Sequence, residues 1–342
     1  MRRRLRAWLP LALATLIGCG GTSSPTGSTL SPATKKVHLI GFDASEPLIS
    51  AMRAGKIDGL VVQNPLVMGE LGVRTLVDVL EKKKVKPTID TGEVMLTPEN
   101  LSDPKMVPFW NPPKEDNISE VNLSGPKKKK WRVMMIPKGT THEFWKTIHA
   151  GGKKAADELG NVDLIWQGPQ KEDERVQQIQ LIQNAVAARV DGIVLAPLDA
   201  KAIVKPVEDA IAKGIPGVII DSGLESKAIS SYVATNNYNG GVLAAQRLGE
   251  LLKGEGKIIL LRYAVGSEST EQREKGFTDT IAKEFPKLVF LSETEYGGAT
   301  SDLAQQKSQS LVTRFRGQVD GIFCVNESNT VGMLRADRKS VV

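Results

Sequence analysis

Cysteine and histidine are scarce in this sequence, and their scarcity limits the chemistry that it can support. The chain has 342 residues, of which two are cysteine and three are histidine. Two cysteines provide no disulfide framework, so the fold must be stabilised by buried apolar cores. His38, His142 and His149 do not stand near cysteine or each other at metal-ligand spacing. No Gly-x-Ser-x-Gly turn is present, and Gly254–Lys257 (GEGK) precedes a strand instead of joining a strand to a helix. The sequence therefore indicates a binding protein without metal or cofactor, and not an enzyme.

The basic charge is too small and too dispersed to indicate a nucleic-acid-binding protein. The formal net charge is +6, and much of the excess lies in Arg2–Arg6 and Lys127–Lys130, outside the predicted lobes. A nucleic-acid interface needs a basic face together with a reading motif, and no such motif is found. Cys324 lies in the apolar stretch DGIFCVN, which predicts a buried small hydrophobic residue.

The first residues resemble an export signal. Arg2–Arg6 precede the apolar run Trp8–Ile17, which is too short for a lasting membrane span. The site LIGC, ending at Cys19, resembles the bacterial lipobox, whose cysteine is lipidated and becomes the first residue. We expect residues 1–19 to be a lipoprotein signal peptide; the alternative is an ordinary signal peptide with an incidental cysteine. Residues 20–36 are rich in Gly, Ser, Thr and Pro and predict a flexible tether. The expected location is the periplasm or cell envelope, with the protein anchored to the membrane.

A strand–helix–strand unit begins the folded part of the chain. Val37–Gly41 and Asp58–Gln63 read as strands, and the apolar residues between them recur at helical spacing. Asp43 follows the first strand, and Gln63 ends the second. Ligands of open α/β sheets bind at the carboxyl ends of the strands, so both side chains are candidate ligand contacts.

Short strands and helices alternate again from Trp131 to the end of the chain. This order predicts parallel sheets with right-handed crossovers. About ten strands are too many for one ordinary sheet, so we predict an α/β fold of two doubly wound lobes. Thr88–Leu96 is predicted to be a single strand. Residues 97–130 contain six prolines and no apolar period, which predicts a linker.

The stretch GFDASEPLISAMRAGKIDGLVVQNP resembles the C-terminal third of the type I periplasmic sugar-binding proteins, the ribose-binding-protein family. Residues 131–336 resemble the N-terminal two thirds and end at VNESNTVGMLRA, which in the family runs almost directly into the GFD strand. The chain thus resembles a complete binding protein in circularly permuted order, with 97–130 rejoining two natural ends. The ending ADRKSVV resembles translated sequencing-adapter read-through, so we expect residues 337–342 to be a non-native tail.

The resemblance implies how the lobes are assembled. Residues 37–96 would be the permuted C-terminal part of the binding domain and would contribute to both lobes. Residues 131–235, with Pro65–Pro87, would form the first lobe. Residues 236–336, with Val37–Gln63 and Thr88–Leu96, would form the second. The crossings between lobes would be a hinge that a ligand closes.

The resemblance also implies the residues that contact the ligand. Charged and amide side chains would bind sugar hydroxyls, and an aromatic pair would cover the apolar face of the ring. The implied ligand-binding residues are Asp43, Gln63, His142, Phe144, Trp145, Asp221, Arg273 and Asn326. The alternatives are that Phe144 and Trp145 are core residues and that Arg273 is a solvated helix charge. Ser222 stands where the family often has arginine, and Tyr296 only approximately matches a further aromatic of the family.

The function implied by the resemblance is capture of a monosaccharide or related polyol for an ABC importer. Its partners would be the importer's permease and, through the lipid anchor, the membrane. A sensor that signals a bound ligand to a membrane receptor is the alternative from a second class. A transcription regulator is disfavoured by the signal peptide and by the lack of a helix-turn-helix. An enzyme is disfavoured because no nucleophile–base pair is found.

Overall fold

The computed structural model describes residues 36–111 and 130–340, and for residues 337–340 it describes the backbone only. The predicted signal peptide, Cys19, nearly all of the tether, residues 112–129 of the linker and residues 341–342 lie outside the described residues. The strands are β1 (His38–Phe42), β2 (Gly59–Gln63), β3 (Thr88–Asp90), β4 (Glu93–Leu96), β5 (Trp131–Ile136), β6 (Val162–Trp166), β7 (Gly192–Leu195), β8 (Gly217–Ile220), β9 (Ser231–Ala234), β10 (Glu255–Leu261), β11 (Lys287–Ser292) and β12 (Gly321–Cys324). The helices are α1 (Glu46–Arg53), α2 (Pro65–Leu80), α3 (Val107–Trp110), α4 (Glu143–Leu159), α5 (Arg175–Ala187), α6 (Val204–Ala212), α7 (Asn237–Leu251), α8 (Glu268–Glu284), α9 (Ser301–Arg314) and α10 (Glu327–Ser340).

These strands form two six-stranded sheets, one in each lobe. The first lobe contains the sheet β3-β9-β8-β7-β5-β6, in which every neighbouring pair is parallel. The second lobe contains the sheet β11-β10-β12-β1-β2-β4, in which only the β2–β4 pair is antiparallel. The predicted α/β fold of two doubly wound lobes is therefore confirmed.

Both faces of each sheet are covered, as the nearly continuous apolar strands require. In β1, Leu39 packs into one core of the second lobe, whereas its neighbours Ile40 and Phe42 pack into the core on the opposite face. Cys324 lies in the first of these cores and is fully buried, as predicted, and burial raises the pKa of its thiol well above the usual range. The first lobe likewise has two apolar cores, one on each side of its sheet.

Residues 38–96 supply strands and a helix to both lobes. In the second lobe, β1 lies between β12 and β2, and His38 is opposite Gly321. In the first lobe, α2 packs tightly against α4. A Cβ atom added at Gly69 would lie only 2.0 Å from the carbonyl oxygen of Ile148, so only glycine permits this approach of the helix backbones.

The stretch Thr88–Leu96 differs from the single strand that was predicted. It forms two strands in different lobes, because Gly92 adopts a left-handed conformation with φ of 78° between them. The residues Thr88–Asp90 therefore belong to the first lobe, not to the second as predicted. The chain then enters the second lobe beside the end of β2, where Gln63 is opposite Glu93. From Glu93 the chain runs back along β2 toward Leu60, which is opposite Leu96. The strand β4 is therefore antiparallel to β2, and the sheet is not wholly parallel.

The beginning of the segment 97–130 is structured, although the whole of it was predicted to be a linker. Leu101 is buried in the second lobe, and Phe109 and Trp110 of α3 pack beside the same core. The indole nitrogen of Trp110 donates a hydrogen bond to the carbonyl of Leu101 at 3.2 Å. Residues 97–111 are thus part of the second lobe. The last helix, α10, continues to Ser340, beyond the point where the non-native tail was expected to begin.

Three crossings connect the lobes within the described residues, and all lie beside the cleft. They follow β2, β3 and β9, and lead to α2, β4 and α7. Asn64 caps α2 and Asn236 caps α7 through side-chain oxygens that accept backbone N–H groups. The Glu93 carboxylate links two crossings, because it accepts hydrogen bonds from the Asn236 backbone and from the Asn239 side chain. Among residues 36–111 and 130–340, no helix is long and apolar enough to span a membrane.

Candidate functional site

Two aspartates stand at matching strand ends in the two lobes. Asp43 follows β1 and Asp221 follows β8, with φ of 67° and 63°. Their backbone N–H groups bond to the carbonyls of Val61 and Val233 on the neighbouring strands. Aspartate tolerates this left-handed conformation better than most residues do. Both side chains are buried and line one cavity between the lobes.

Asp221 is paired with a lysine that was not among the predicted ligand-binding residues. Lys138 Nζ lies 2.9 Å from Asp221 Oδ2, and each side chain is 5% exposed. The same ammonium group donates hydrogen bonds to Ser267 and Ser269 at the start of α8, in the other lobe. Ser222 was expected to leave Asp221 without the arginine often found beside it. Lys138 provides a positive charge at this place from a different strand end.

The Asp43 carboxyl group accepts two hydrogen bonds but forms no ion pair among the described residues. Its Oδ1 accepts from Gln63 Nε2 at 2.6 Å, and its Oδ2 accepts from the Glu327 backbone N–H at 3.2 Å. Burial raises the pKa of Asp43, and the charge of Asp221 adds to this, although Arg273 and Gln63 oppose it. The environment of Asp43 thus disfavours its ionised form.

Arg273 is buried beneath the cavity and is not a solvated helix charge. It is 2% exposed, and it donates hydrogen bonds to Asn237 Oδ1 at 2.8 Å and to the Val325 carbonyl at 3.0 Å. Its guanidinium carbon lies 3.7 Å from the centre of the Phe42 ring, in cation–π geometry. Burial lowers the pKa of Arg273, while the charges of Asp43 and Asp221 oppose this shift.

The aromatic side of the cavity is organised around Glu172, in the loop that follows β6. One carboxylate oxygen lies 3.0 Å from His142 Nδ1 and accepts a 2.6 Å hydrogen bond from Trp145. The other accepts a hydrogen bond from the Tyr263 hydroxyl in the second lobe. Burial alone would raise the pKa of Glu172, but the hydrogen bond and charge of His142 help lower it to about 2. Burial alone would lower the pKa of His142, but Glu172 raises it to about 9.

All eight residues predicted to contact the ligand line the cavity between the lobes. Trp145 is also a core residue, because it is 2% exposed and packs in the first lobe. Phe144 is partly buried and meets Trp145 edge-on, with ring centres 4.9 Å apart. Asn326 is buried, and its amide bonds to Ser328 and Asn329 at the start of α10. That these residues contact a ligand remains a prediction.

Tyr296, which approximately matches a further aromatic residue of the family, does not line the cavity. It is 37% exposed and lies against Arg262, whose guanidinium is 5.8 Å from the ring centre. The chain leaves β11 at Ser292 and pairs with Arg262 through an isolated bridge, which places the ring outside the cleft.

Several further lining residues were missed by the sequence analysis. They come from both lobes and are Lys138, Glu172, Tyr263, Ser267, Ser269, Thr270 and Glu327. Lys138, Glu172, Tyr263 and Glu327 follow the carboxyl ends of strands, so a fuller use of the strand-end rule would have found them. Ser267, Ser269 and Thr270 surround the start of α8, for which the sequence has no comparable signal.

The two lobes touch around the cavity through polar contacts. Ser222 Oγ donates to Ser269 Oγ at 3.2 Å, and the Gly223 backbone donates to Glu268 at 2.8 Å. The Ala200 N–H donates to the Gly266 carbonyl at 3.0 Å. The structure thus has a closed cleft. The described residues contain no group of three or more His, Cys, Asp and Glu side chains arranged to hold a metal ion.

Comparisons with known proteins match this architecture. The profile of the periplasmic binding protein domain matches residues 133–340. A xylitol-binding protein of Mycolicibacterium smegmatis is 26% identical over 188 residues, which are 54% of this chain and 53% of that protein. A D-ribose/D-allose-binding protein of Pseudomonas aeruginosa is 25% identical over 65% of this chain and 70% of its own length. The chain therefore spans about half the length of the first of these relatives and just over two thirds of the second.

A solved structure of a solute-binding protein also resembles this chain. The carbohydrate transporter solute-binding protein of Agrobacterium radiobacter, in complex with D-arabinose, is 33% identical, with a TM-score of 0.58. The match covers 61% of this chain and 72% of that one. These relatives are binding proteins. The family match covers more than half of the chain, and the two lobes have the expected parallel sheets. The chain therefore belongs to the periplasmic binding protein family, and its two lobes have the type I fold, as the resemblance in its sequence predicted.

Proposed function

We propose that the protein is an exported, lipid-anchored solute-binding protein that captures a monosaccharide or related polyol for an ABC importer. The cleft carries the proposal, because eight side chains expected from the family resemblance line one cavity between the lobes. No enzymatic activity is part of the proposal.

The chemistry of the cavity wall suits a polyhydroxylated ligand. Sugar hydroxyls both donate and accept hydrogen bonds, so they can bind the carboxylates and the amides of Gln63 and Asn326. Phe144 and Trp145 offer apolar ring surface to the C–H face of a sugar. Relatives that bind xylitol, ribose or allose, and arabinose support this ligand class.

Calorimetric titration with a panel of pentoses, hexoses and polyols tests the proposal. We expect at least one to bind, and Asp43→Asn to weaken that binding roughly tenfold to a hundredfold through loss of a charged hydrogen-bond acceptor. Asp279→Asn is the matched control, because Asp279 is exposed and lies outside the cavity. Binding of an amino acid or an inorganic anion, with no heat from any sugar or polyol, would exclude the proposed ligand class.

The lipid anchor rests on Cys19 and the lipobox-like sequence before it. A diacylglycerol with a further acyl chain holds a protein at a membrane far better than a single chain does. We expect Cys19→Ala to move the protein from the membrane fraction to the soluble fraction, measured by fractionation and immunoblotting. Equal partitioning of both forms would contradict lipidation.

The circularly permuted order is also proposed, and it is supported by the placement of residues 38–96 in both sheets. Separate expression of residues 36–111 and 130–340 tests whether the first segment is integral to the binding domain. We expect the two fragments to co-purify when they are produced together and the larger fragment to be insoluble alone. A soluble larger fragment with full ligand binding would show that residues 36–111 are dispensable.

An importer role and a sensing role differ in what happens to the ligand. If the protein feeds an importer, deleting its gene should abolish uptake of the labelled ligand into cells. Normal uptake together with a lost transcriptional response to the ligand would favour the sensor.

A further inference from the structure

The charged groups of the cavity wall do not balance. Four carboxyl groups face the cavity, from Asp43, Glu172, Asp221 and Glu327, against three basic groups, from Lys138, His142 and Arg273. Lys138 is paired with Asp221 at 2.9 Å and His142 with Glu172 at 3.0 Å. Arg273 is then the remaining basic group for two carboxyl groups of the wall, those of Asp43 and Glu327.

The guanidinium group of Arg273 makes its hydrogen bonds and its ring contact with other residues. It donates to Asn237 and to the Val325 carbonyl and stacks on Phe42. Within the described part of the chain it forms no ion pair with Asp43 or Glu327. The end of the cavity between these two residues therefore holds two carboxyl groups without a cation paired to either. Burial raises the pKa of both, that of Glu327 to about 7, so a cationic group placed between them would favour their ionised forms.

The same end has a buried acceptor without a donor. Gln63 is 3% exposed, and its Oε1 has no hydrogen-bond partner among the described atoms. In this orientation Nε2 donates to Asp43 Oδ1 at 2.6 Å, whereas the reversed amide would place its oxygen against the oxygen of an ionised Asp43. A buried acceptor without a partner is costly, so a ligand that donates hydrogen bonds is expected to satisfy it.

We propose that this end of the cavity, formed by Asp43, Gln63 and Glu327, selects ligands with an ammonium group on the sugar or polyol. An ammonium group has three donors and no acceptor, which matches two carboxyl groups and an amide oxygen. Its charge also offsets the surplus carboxyl group. Glu327 also lines a wider outer cleft between α1, α4 and α10, so the amino substituent would point toward that opening. The inference rests on the proposed function and narrows its ligand class.

Matched ligands test the charge without changing the ring. D-glucosamine, D-galactosamine and D-mannosamine are titrated calorimetrically against glucose, galactose and mannose and against the N-acetylated forms, which keep the substituent but lose its charge. We expect at least one amino sugar to bind tenfold to a hundredfold more tightly than its parent and its N-acetyl form. In Glu327→Gln the amino-to-parent affinity ratio should fall toward one, whereas Glu225→Gln, on the exposed surface, should leave the ratio unchanged.

The outcomes separate the two proposals. Parent sugars that bind as tightly as their amino forms would overturn the ammonium site and leave the proposed function intact. An amino preference that survives in Glu327→Gln would also overturn the assignment to this end of the cavity. If no sugar, polyol or amino sugar binds the wild-type protein, both proposals fail.

Discussion

Asp43 and Asp221 end matching strands in the two lobes with nearly the same backbone conformation, yet their surroundings differ. Asp221 forms a buried ion pair with Lys138, whereas Asp43 receives one amide and one backbone N–H. The fold thus repeats the position of the carboxyl group but not its charge balance. An equivalent strand end specifies where a side chain lies, and the side chains from other strand ends decide whether it is electrostatically satisfied.

The largest expected effect comes from breaking the pair on the Asp221 side. Lys138→Met leaves a buried carboxylate without its cation, which should lower the free energy of unfolding by about 3–5 kcal/mol. Chemical denaturation monitored by circular dichroism measures this change. The double variant Lys138→Met/Asp221→Asn should recover much of the loss, since neither charge is then buried alone. A double variant as unstable as Lys138→Met would show that packing, and not charge, explains the effect.

The His142–Glu172 pair provides a second contrast with Asp43, because its strength depends on pH. The pKa of His142 is about 9 in the folded protein and about 6.5 when unfolded. The stabilisation is therefore complete below about pH 6.5 and is lost as pH rises through 9. It amounts to at most about 3 kcal/mol, at 1.36 kcal/mol per pKa unit.

Denaturation of wild type and His142→Gln between pH 6 and 10 measures that loss. Glutamine can still donate a hydrogen bond to Glu172 but carries no charge. The difference in unfolding free energy between the two proteins should shrink as the pH rises. A difference that is constant across this range would contradict the ion pair.

The smallest effect on stability is expected at Asp43 itself. Burial raises its pKa, so the charge of Asp43 does not stabilise the fold and its removal should cost little. Asparagine also tolerates the left-handed backbone and can accept the Gln63 hydrogen bond, although it loses the bond from the Glu327 N–H. We expect Asp43→Asn to change the free energy of unfolding by no more than about 1 kcal/mol, the size of one ordinary hydrogen bond. Asp221→Asn in the same denaturation assay should cost clearly more, and equal costs would remove the contrast between the two aspartates.

Much of the site could be predicted because parallel strands bring their carboxyl ends to one edge of a sheet. That rule places Asp43, Asp221 and Asn326 at the cleft without knowledge of the fold's details. It could not predict that Lys138 reaches Asp221, because the distance between two strand ends depends on the order of strands in the sheet. Nor did the rule show that Arg273 donates a hydrogen bond to the Val325 carbonyl. Because of this bond, Arg273→Ala should destabilise the fold as well as alter the cavity.

The two wrong predictions about the fold also arose because contacts between distant parts of the chain were not known. The stretch Thr88–Leu96 alternates only in part, and its pattern does not show that the chain changes lobes at Gly92. The apolar residues around Leu101 and Trp110 have no period, yet they cover the second lobe. Tertiary contacts alone decide both cases, and they are not visible in a local pattern.

The pairing of β1 with β12 has a consequence for how the protein folds. His38 is opposite Gly321, so a central ladder of the second sheet joins residues that are far apart along the chain. Ladders of such large sequence separation form slowly, because the intervening chain must be ordered first. During folding, β1, β2 and β4 can pair with one another early, but the edge of β1 stays unpaired until β12 arrives. Such edges bind other strands readily. We therefore expect the second lobe to be more prone to aggregation during folding than the first.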